Sequence, residues 1–234
     1  MSIAEVLSGA RRWHVEQGDA LAVLASLPDG CVDAVVTDWP FGIGDDPITT
    51  ATGIHSGSRA GRDNTWHPPS EWDKALNPEW GPAVCRVAPV VACFGFWRKR
   101  EEVVAMMPHP LRCEIVWAKD CHTSPPTPIA SRDERIWIFS RHALEPRHFE
   151  TTVWDEPIIP TWAHRAHKNE KPMRLMRRLV RWLVAPGAVI ADPFCGSGTT
   201  IAAAMVDGVR AFGCDIDPEH VATARHRCAN VEAG

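Results

Sequence analysis

The chain has 234 residues, 45% hydrophobic and 23% charged, with a formal net charge of -4. This length supports one α/β domain with a sizeable core, and the acidic balance excludes a global field drawing the molecule toward polyanions, so any phosphate contact must be a local patch. The 8 cysteines form no C-x-x-C pair and no zinc-spaced His/Cys group, no apolar stretch has signal-peptide form, and none approaches the ~20 residues of a membrane span; the expectation is a soluble cytoplasmic protein with reduced thiols and neither metal nor membrane attachment.

In chain order, residues 13–16 form a short extended run closed by Gly18-Asp19, and Leu21, Val23, Leu24 and Leu27 have helical spacing. Pro28-Asp29-Gly30 is a turn signal. Residues 32–37, with three valines, read as a strand buried on both faces of a parallel sheet. From Gly42 to about Asp73 the pattern dissolves into Gly, Ser, Thr, Asp and Pro, and a loop this long in one domain is usually functional or disordered. A helix over 78–87 leads into the strand "APVVACFGFW", followed by a helix in "RKREEVVAMM" and strands in "LRCEIVWAKD" and "RDERIWIFSRH".

The last third is the most regular. "KPMRLMRRLVRWLV" predicts an amphipathic helix burying Met173, Met176, Leu179, Val180 and Leu183, with Arg174, Arg177, Arg178 and Arg181 facing away. "GAVIADPFCGSGTT" predicts a strand, a Gly turn and a helix start, with Gly208 as that helix's stop. "VRAFGCDID" is a strand, and Asp217-Pro218 caps and opens a final helix. Strands alternating with helices predict an open, mostly parallel α/β sheet.

Two places carry chemistry. In "VVTDWPFGIG" a buried strand ends by presenting one carboxylate, Asp38, beside two large aromatic rings, an arrangement suited to a planar ring bearing an amine. In "ADPFCGSGTT" a strand ends in Asp192, glycines allow close backbone approach, and Thr199-Thr200 open a helix with free N–H groups. A Walker loop needs a Lys that this turn lacks, and a dinucleotide loop wants a third Gly. A nucleoside with a charged amino-acid tail, such as S-adenosylmethionine, fits an acid at each of two strand ends, Asp192 for the tail and Asp215 for a ribose diol. A ligand-free tight turn is the remaining alternative.

Together, "DWPF", "HKNEKP" and "ADPFCGSGTT", in that order, resemble the amino-methylating DNA methyltransferases, specifically the circularly permuted beta group. The resemblance runs from about Val15 to the C-terminus. The D-P-F-x-G-x-G-T-T loop is matched in full by Asp192 to Thr200, and "GCDID" matches a strand end whose Asp215 binds ribose. "QGDA" resembles the element that meets the cofactor adenine, here Asp19 and Ala20. "RDERIWIFSR" resembles an H-E-x-I strand, and His167, Lys171 and Pro172 match H-P-x-x-K-P, with Lys168 at the Pro position. In the tetrapeptide Asp38, Pro40 and Phe41 match, while Trp39 stands where the family has its first Pro.

The resemblance implies a single Rossmann-like methyltransferase domain over 1–234 with helices on both faces of its sheet. It also implies a long loop at 42–75 that closes on DNA, and a short recognition-like insert at 143–166. It implies S-adenosyl-L-methionine as cofactor, held by Asp19, Ala20, Lys171 (at the methionine carboxylate), Asp192, Phe194, Gly196, Gly198, Thr199, Thr200 and Asp215. Asp38, Trp39, Pro40 and Phe41 are the implied catalytic group. Asp38 and the Trp39 carbonyl accept the N–H groups of the target amine, and Phe41 stacks on a base flipped from double-stranded DNA. Asp at position 38 favours adenine N6 over cytosine N4. Trp39 admits three readings: packing beneath the loop, narrowing of the pocket, or a weakened, cofactor- or DNA-binding homologue. The Arg helix and "FWRKRE" are either solvated faces or phosphate contacts, and Arg59, Arg62, Asp63, Asn64, Trp66 and His67 stand in the long loop. So short a recognition surface implies a homodimer or a helper protein.

Overall fold

The computed structural model describes residues 2–43, 73, 75–121, 131–159 and 170–233. The long-loop residues Arg59, Arg62, Asp63, Asn64, Trp66 and His67, together with His167 and Lys168, lie outside the described residues. The elements run α1 (Ile3–Leu7), β1 (Trp13–Gln17), α2 (Ala20–Ala25), β2 (Ala34–Thr37), α3 (Trp80–Val87), β3 (Val90–Gly95), α4 (Arg100–Met106), β4 (Leu111–Ala118), β5 (Asp133–Ser140), β6 (Val153–Asp155), α5 (Met173–Leu183), β7 (Val189–Asp192), α6 (Thr199–Val206), β8 (Arg210–Asp215) and α7 (Pro218–Ala233). No helix among the described residues is long and apolar enough to cross a membrane.

The eight strands form one sheet in the order β1-β8-β7-β2-β3-β5-β4-β6. Every neighbouring pair is parallel except those made by β5, which runs against both β3 and β4. The mostly parallel sheet expected from the alternation of elements is therefore present. All four residues of β2 and all four of β7 are buried, because helices cover both faces. On one face α5, α6 and α7 contribute Leu175, Met176, Leu179, Ile201, Ala203, Met205, Val221 and Ala224 to the core. On the other, α1 to α4 contribute Val6, Leu24, Trp80, Val84 and Val103.

The register of β2 on β7 (Ala34↔Ile190, Val35↔Ala191) sets the geometry of everything that follows. From β2 the chain crosses to β3 through α3 on one face, and from β7 it crosses to β8 through α6 on the other. The two connections leave in opposite directions, so a crevice opens beyond the C-terminal ends of β2 and β7, where open α/β sheets bind ligands. Asp38 and the Gly turn after Asp192 both border it.

Three features depart from the sequence reading. Residues 3–7 form α1, closed by a reciprocal Ser2–Glu5 capping box that the reading passed over. The insert at 143–166 contains a strand, β6, which adds to the sheet edge beside β4. The buried stripe of α5 is Leu175, Met176, Leu179, Val180 and Trp182, whereas Met173 and Leu183 are only partly buried. The stripe is turned because Trp182 packs edge-on against Trp154 of the unanticipated β6.

Candidate active site

The seam between β2 and β7 is closed by a side-chain bond. Thr37 donates its hydroxyl to Asp192 Oδ1 at 3.0 Å, and the Phe194 amide donates to the same oxygen at 3.2 Å. Asp192 is buried, which raises its carboxyl to about 7 against the bonds from Thr200, Phe194 and Thr37 that favour the anion. The turn that follows carries Gly196 at φ +48 and Gly198 at φ +79, conformations that favour glycine. An added Cβ at Gly196 would meet nothing within 4 Å, whereas one at Gly198 would lie 2.7 Å from the Cβ of Ala224. Gly198 is therefore required by packing against α7, and Gly196 leaves open space above the turn. Thr199 and Thr200, both buried, begin α6.

Asp38 lies one residue beyond β2 and forms the end of a chain of alternating charges. Lys171 Nζ stands 2.8 Å from Asp38 Oδ2 and 3.0 Å from Glu134 Oε2, and Lys119 Nζ stands 2.5 Å from Glu134 Oε1. The other Asp38 oxygen, Oδ1, is buried with no hydrogen-bond partner among the described residues. Burial raises the Asp38 carboxyl, with Lys171 opposing and Glu134 adding to the rise. Burial also works to raise Glu134, but Lys171 and Lys119 outweigh it and hold that carboxyl below its usual range. The Lys171 ammonium is held above its ordinary value by Asp38 and Glu134 despite burial. Lys171, expected at the methionine carboxylate, is set between two protein acids and over the rings of Phe94, Phe41 and Trp117, at 4.9, 5.5 and 6.0 Å.

Trp39 points away from this chain. It is 1% exposed, stacks on Trp80 at 6.1 Å, and Trp80 in turn meets Phe194 edge-on at 4.9 Å. The residue in place of the family's Pro is thus a core anchor beneath the loop, and through Trp80 it couples the tetrapeptide to the Gly turn. Of the three readings of Trp39, this placement is the first. Pro40 and Phe41 are half-buried, and Phe41 packs against both cores. The Gly42 amide donates to Asp73 Oδ1 at 2.8 Å, and the same carboxylate is bonded by the Phe41 and Ile43 amides, so Asp73 ties down the chain just beyond Phe41.

The remaining cofactor candidates line the same C-terminal edge. Asp19 caps α2 by accepting from the Ala22 amide at 3.0 Å, and Ala20, the first residue of α2, is buried. Gly18 donates its amide to the Asp215 carbonyl at 3.0 Å, which places Asp19 beside Asp215. Asp215 accepts from the Gly196 amide (2.9 Å), the Asp217 amide (3.0 Å) and His220 Nδ1 (3.2 Å). Ile216, next to it, is 72% exposed, an apolar surface at the rim of the crevice. Arg227 of α7 bonds Thr199 and Ser197 of the turn and Glu170, the residue before Lys171.

The basic stretches are more neutralised than their sequences imply. Arg177 forms a bidentate pair with Asp207 (2.7 and 3.1 Å), and Arg178 one with Glu150 (2.5 and 3.1 Å) while lying over the Trp154 ring. These two arginines tie elements together; Arg174 and Arg181, with long contacts of 3.7 and 4.0 Å to Glu156 and Asp207, are the exposed ones. In "FWRKRE", Lys99 pairs with Glu102 and Arg100 with Glu114, while Arg98 lies over Phe96 and the half-exposed Trp97.

Sequence reasoning passed over Thr37, Trp80, Asp73, Lys119 and Arg227, and it noted Glu134 only as part of the H-E-x-I resemblance. Each of these acts through a partner distant in the chain, and no local pattern marks it.

Comparison with known proteins agrees with this geometry. The family model for DNA methylases (N6_N4_Mtase) matches residues 32–226. YubD of Escherichia coli (strain K12), a methylase by name, is 26% identical over 224 residues, covering 92% of this chain and 90% of that protein. The type II methyltransferase M2.MboI of Moraxella bovis is 22% identical over 238 residues, covering 86% and 82%. The crystal structure of M1.HpyAVI with SAM superposes with a TM-score of 0.65 at 18% identity over 92% of this chain and 99% of that one. The cytosine-N4-specific PvuII DNA methyltransferase superposes at 0.67 with 14% identity over 95% and 91%. At those identities the two structural likenesses establish the fold. With the family model spanning most of its length, the chain belongs to the DNA methylase family, the methyltransferases of adenine N6 or cytosine N4.

Proposed function

We propose that this protein methylates the N6 amino group of adenine in DNA, on a base rotated out of the duplex, with S-adenosylmethionine as donor. The observation that carries the reading is Asp38 Oδ1, a buried acceptor without a donor among the described residues, one residue past the Thr37–Asp192 bond. Leaving such a group unmatched costs ~1–3 kcal/mol, which an arriving N–H relieves.

The exocyclic nitrogen is a poor nucleophile because its lone pair is delocalised into the ring. Asp38, with the main-chain carbonyl of Trp39, draws the two N–H groups toward acceptors and frees the lone pair without deprotonation. The carboxylate also stabilises the positive charge that grows on nitrogen, a gain specific to the transition state, and the methylated nitrogen then gives up one proton to leave the neutral amine. Phe41 supplies the flat partner that the unstacked base loses, worth ~1–3 kcal/mol. When bound, S-adenosylmethionine supplies the electrophilic methyl group. The open space over Gly196, the Asp192 carboxyl and the Asp215 carboxylate fit its backbone-lined seat, its ammonium and its ribose, and the exposed Ile216 fits the face of its adenine. An Asp rather than a Ser at position 38 supports adenine over cytosine.

Incubation with methyl-labelled S-adenosylmethionine and mixed-sequence DNA, followed by nucleoside analysis, tests this. Label in N6-methyl-2′-deoxyadenosine that disappears in Asp38→Ala, with cofactor affinity retained, is expected. Label in N4-methyl-2′-deoxycytidine overturns the base assignment, and loss of cofactor binding in Asp38→Ala overturns the pocket assignment.

A further inference from the structure

We infer that Lys171 and Glu134 are positioning residues for Asp38: the alternating chain Lys119–Glu134–Lys171–Asp38 keeps the catalytic carboxylate anionic, with one oxygen engaged and the other reserved for the target amine. The inference deepens the methyl-transfer reading and rests on it.

The geometry is specific. Asp38 follows β2 and Glu134 lies on β5, with β3 between them in the sheet. Two strand spacings are about 10 Å, beyond direct contact of the two acids. Lys171 spans the gap, its ammonium lying over the Phe94 ring of the intervening strand at 4.9 Å and touching one acid on each side. Lys119, just past β4, supplies the second cation, so the four charges cancel. The side chains of Lys119, Lys171 and Glu134 are 5%, 10% and 16% exposed. An ion-pair chain buried this far is weak evidence for stability, because desolvation offsets the attraction. Its alternation ends at the residue whose charge state decides the chemistry.

That charge state matters because a protonated Asp38 offers the amine a donor where an acceptor is needed. Among the described residues, the charged groups acting on Asp38 are Lys171, Glu134 and Lys119, with Asp192 across the seam as a fourth. Lys171 and Lys119 favour the anion, and burial and Glu134 oppose it. Removing the Lys171 charge therefore raises the pH at which Asp38 becomes an acceptor. Removing the Glu134 charge leaves the ammonium to Asp38 and lowers it.

The test is the pH profile of kcat at saturating cofactor and DNA. Lys171→Met is expected to move the acid limb upward by about one pH unit or more, with cofactor affinity within about twofold of wild type. Glu134→Gln is expected to move the same limb downward, and Lys171→Arg to restore it. A Lys171→Met enzyme whose limb is unmoved, or whose defect is a tenfold or greater loss of cofactor affinity, overturns the inference and returns Lys171 to the cofactor carboxylate. Titration of the 13C-labelled Asp38 carboxyl in the protein without DNA or cofactor reads the same opposed shifts. A wild-type enzyme that transfers no methyl sinks the proposed function, whereas unshifted Asp38 titrations sink this inference by themselves.

Discussion

Thr37 Oγ1 stands 3.0 Å from Asp192 Oδ1, bridging two strands whose residues are 155 positions apart in the chain. This bond fixes the crevice of the molecule, because the residue after Thr37 is the proposed amine acceptor and the residues after Asp192 form the Gly turn. Thr37→Val, which keeps the shape and removes the hydroxyl, is expected to destabilise the fold by about 1–2 kcal/mol and weaken cofactor binding severalfold. Urea unfolding and calorimetry check it.

The Asp192 carboxyl, raised by burial to about 7, carries a pH signature. Its folded-state value lies above its unfolded one of 3.8, so its contribution to stability is complete below about pH 4 and is lost as pH rises toward 7. Asp192→Asn is expected to flatten the urea midpoint across that window. Ammonium binding needs the anion, so cofactor affinity is expected to fall roughly tenfold per unit as pH drops below about 7. Calorimetry in buffers of different ionisation enthalpy is expected to show proton release there.

The two glycines of the turn are expected to behave oppositely. Gly196→Ala, strained by its φ but clear of neighbours, costs about 1–2 kcal/mol of stability and abolishes cofactor binding by filling the open space. Gly198→Ala drives a methyl into Ala224 of α7 and costs more than about 3 kcal/mol in unfolding free energy.

Trp39 is expected to be a stability residue. Trp39→Ala empties a site that is 1% exposed and costs about 3–5 kcal/mol. Trp39→Phe keeps a ring against Trp80 and removes an indole N–H that is buried without a partner among the described residues. Its loss of stability is expected to be no more than about 2 kcal/mol, with kcat within about threefold of wild type. A kcat unchanged in Trp39→Ala at a temperature where it folds would separate the anchor from any part in the pocket.

Arg227→Met cuts the ties from α7 to Thr199, Ser197 and Glu170 at once. A cofactor Kd raised about tenfold is the expected outcome, since the turn and the segment leading to Lys171 lose their common anchor.

Local chemistry explains what the sequence by itself determined. Strand and helix periodicities, the Gly208 stop, the Asp217-Pro218 helix start and the Gly turn after Asp192 are set by backbone preferences within a few residues, and the linear order of motifs carried the family. The tertiary structure alone decided which side chains meet. Lys171 faces Asp38 and Glu134 because β3 separates their strands; Arg177 and Arg178 serve Asp207 and Glu150 because α5 packs against α6 and beside β6; Trp39 is buried because Trp80 and Phe194 converge beneath it. Such pairings depend on strand order and register, which bring together residues far apart in the chain, and no short-range pattern in the sequence records them.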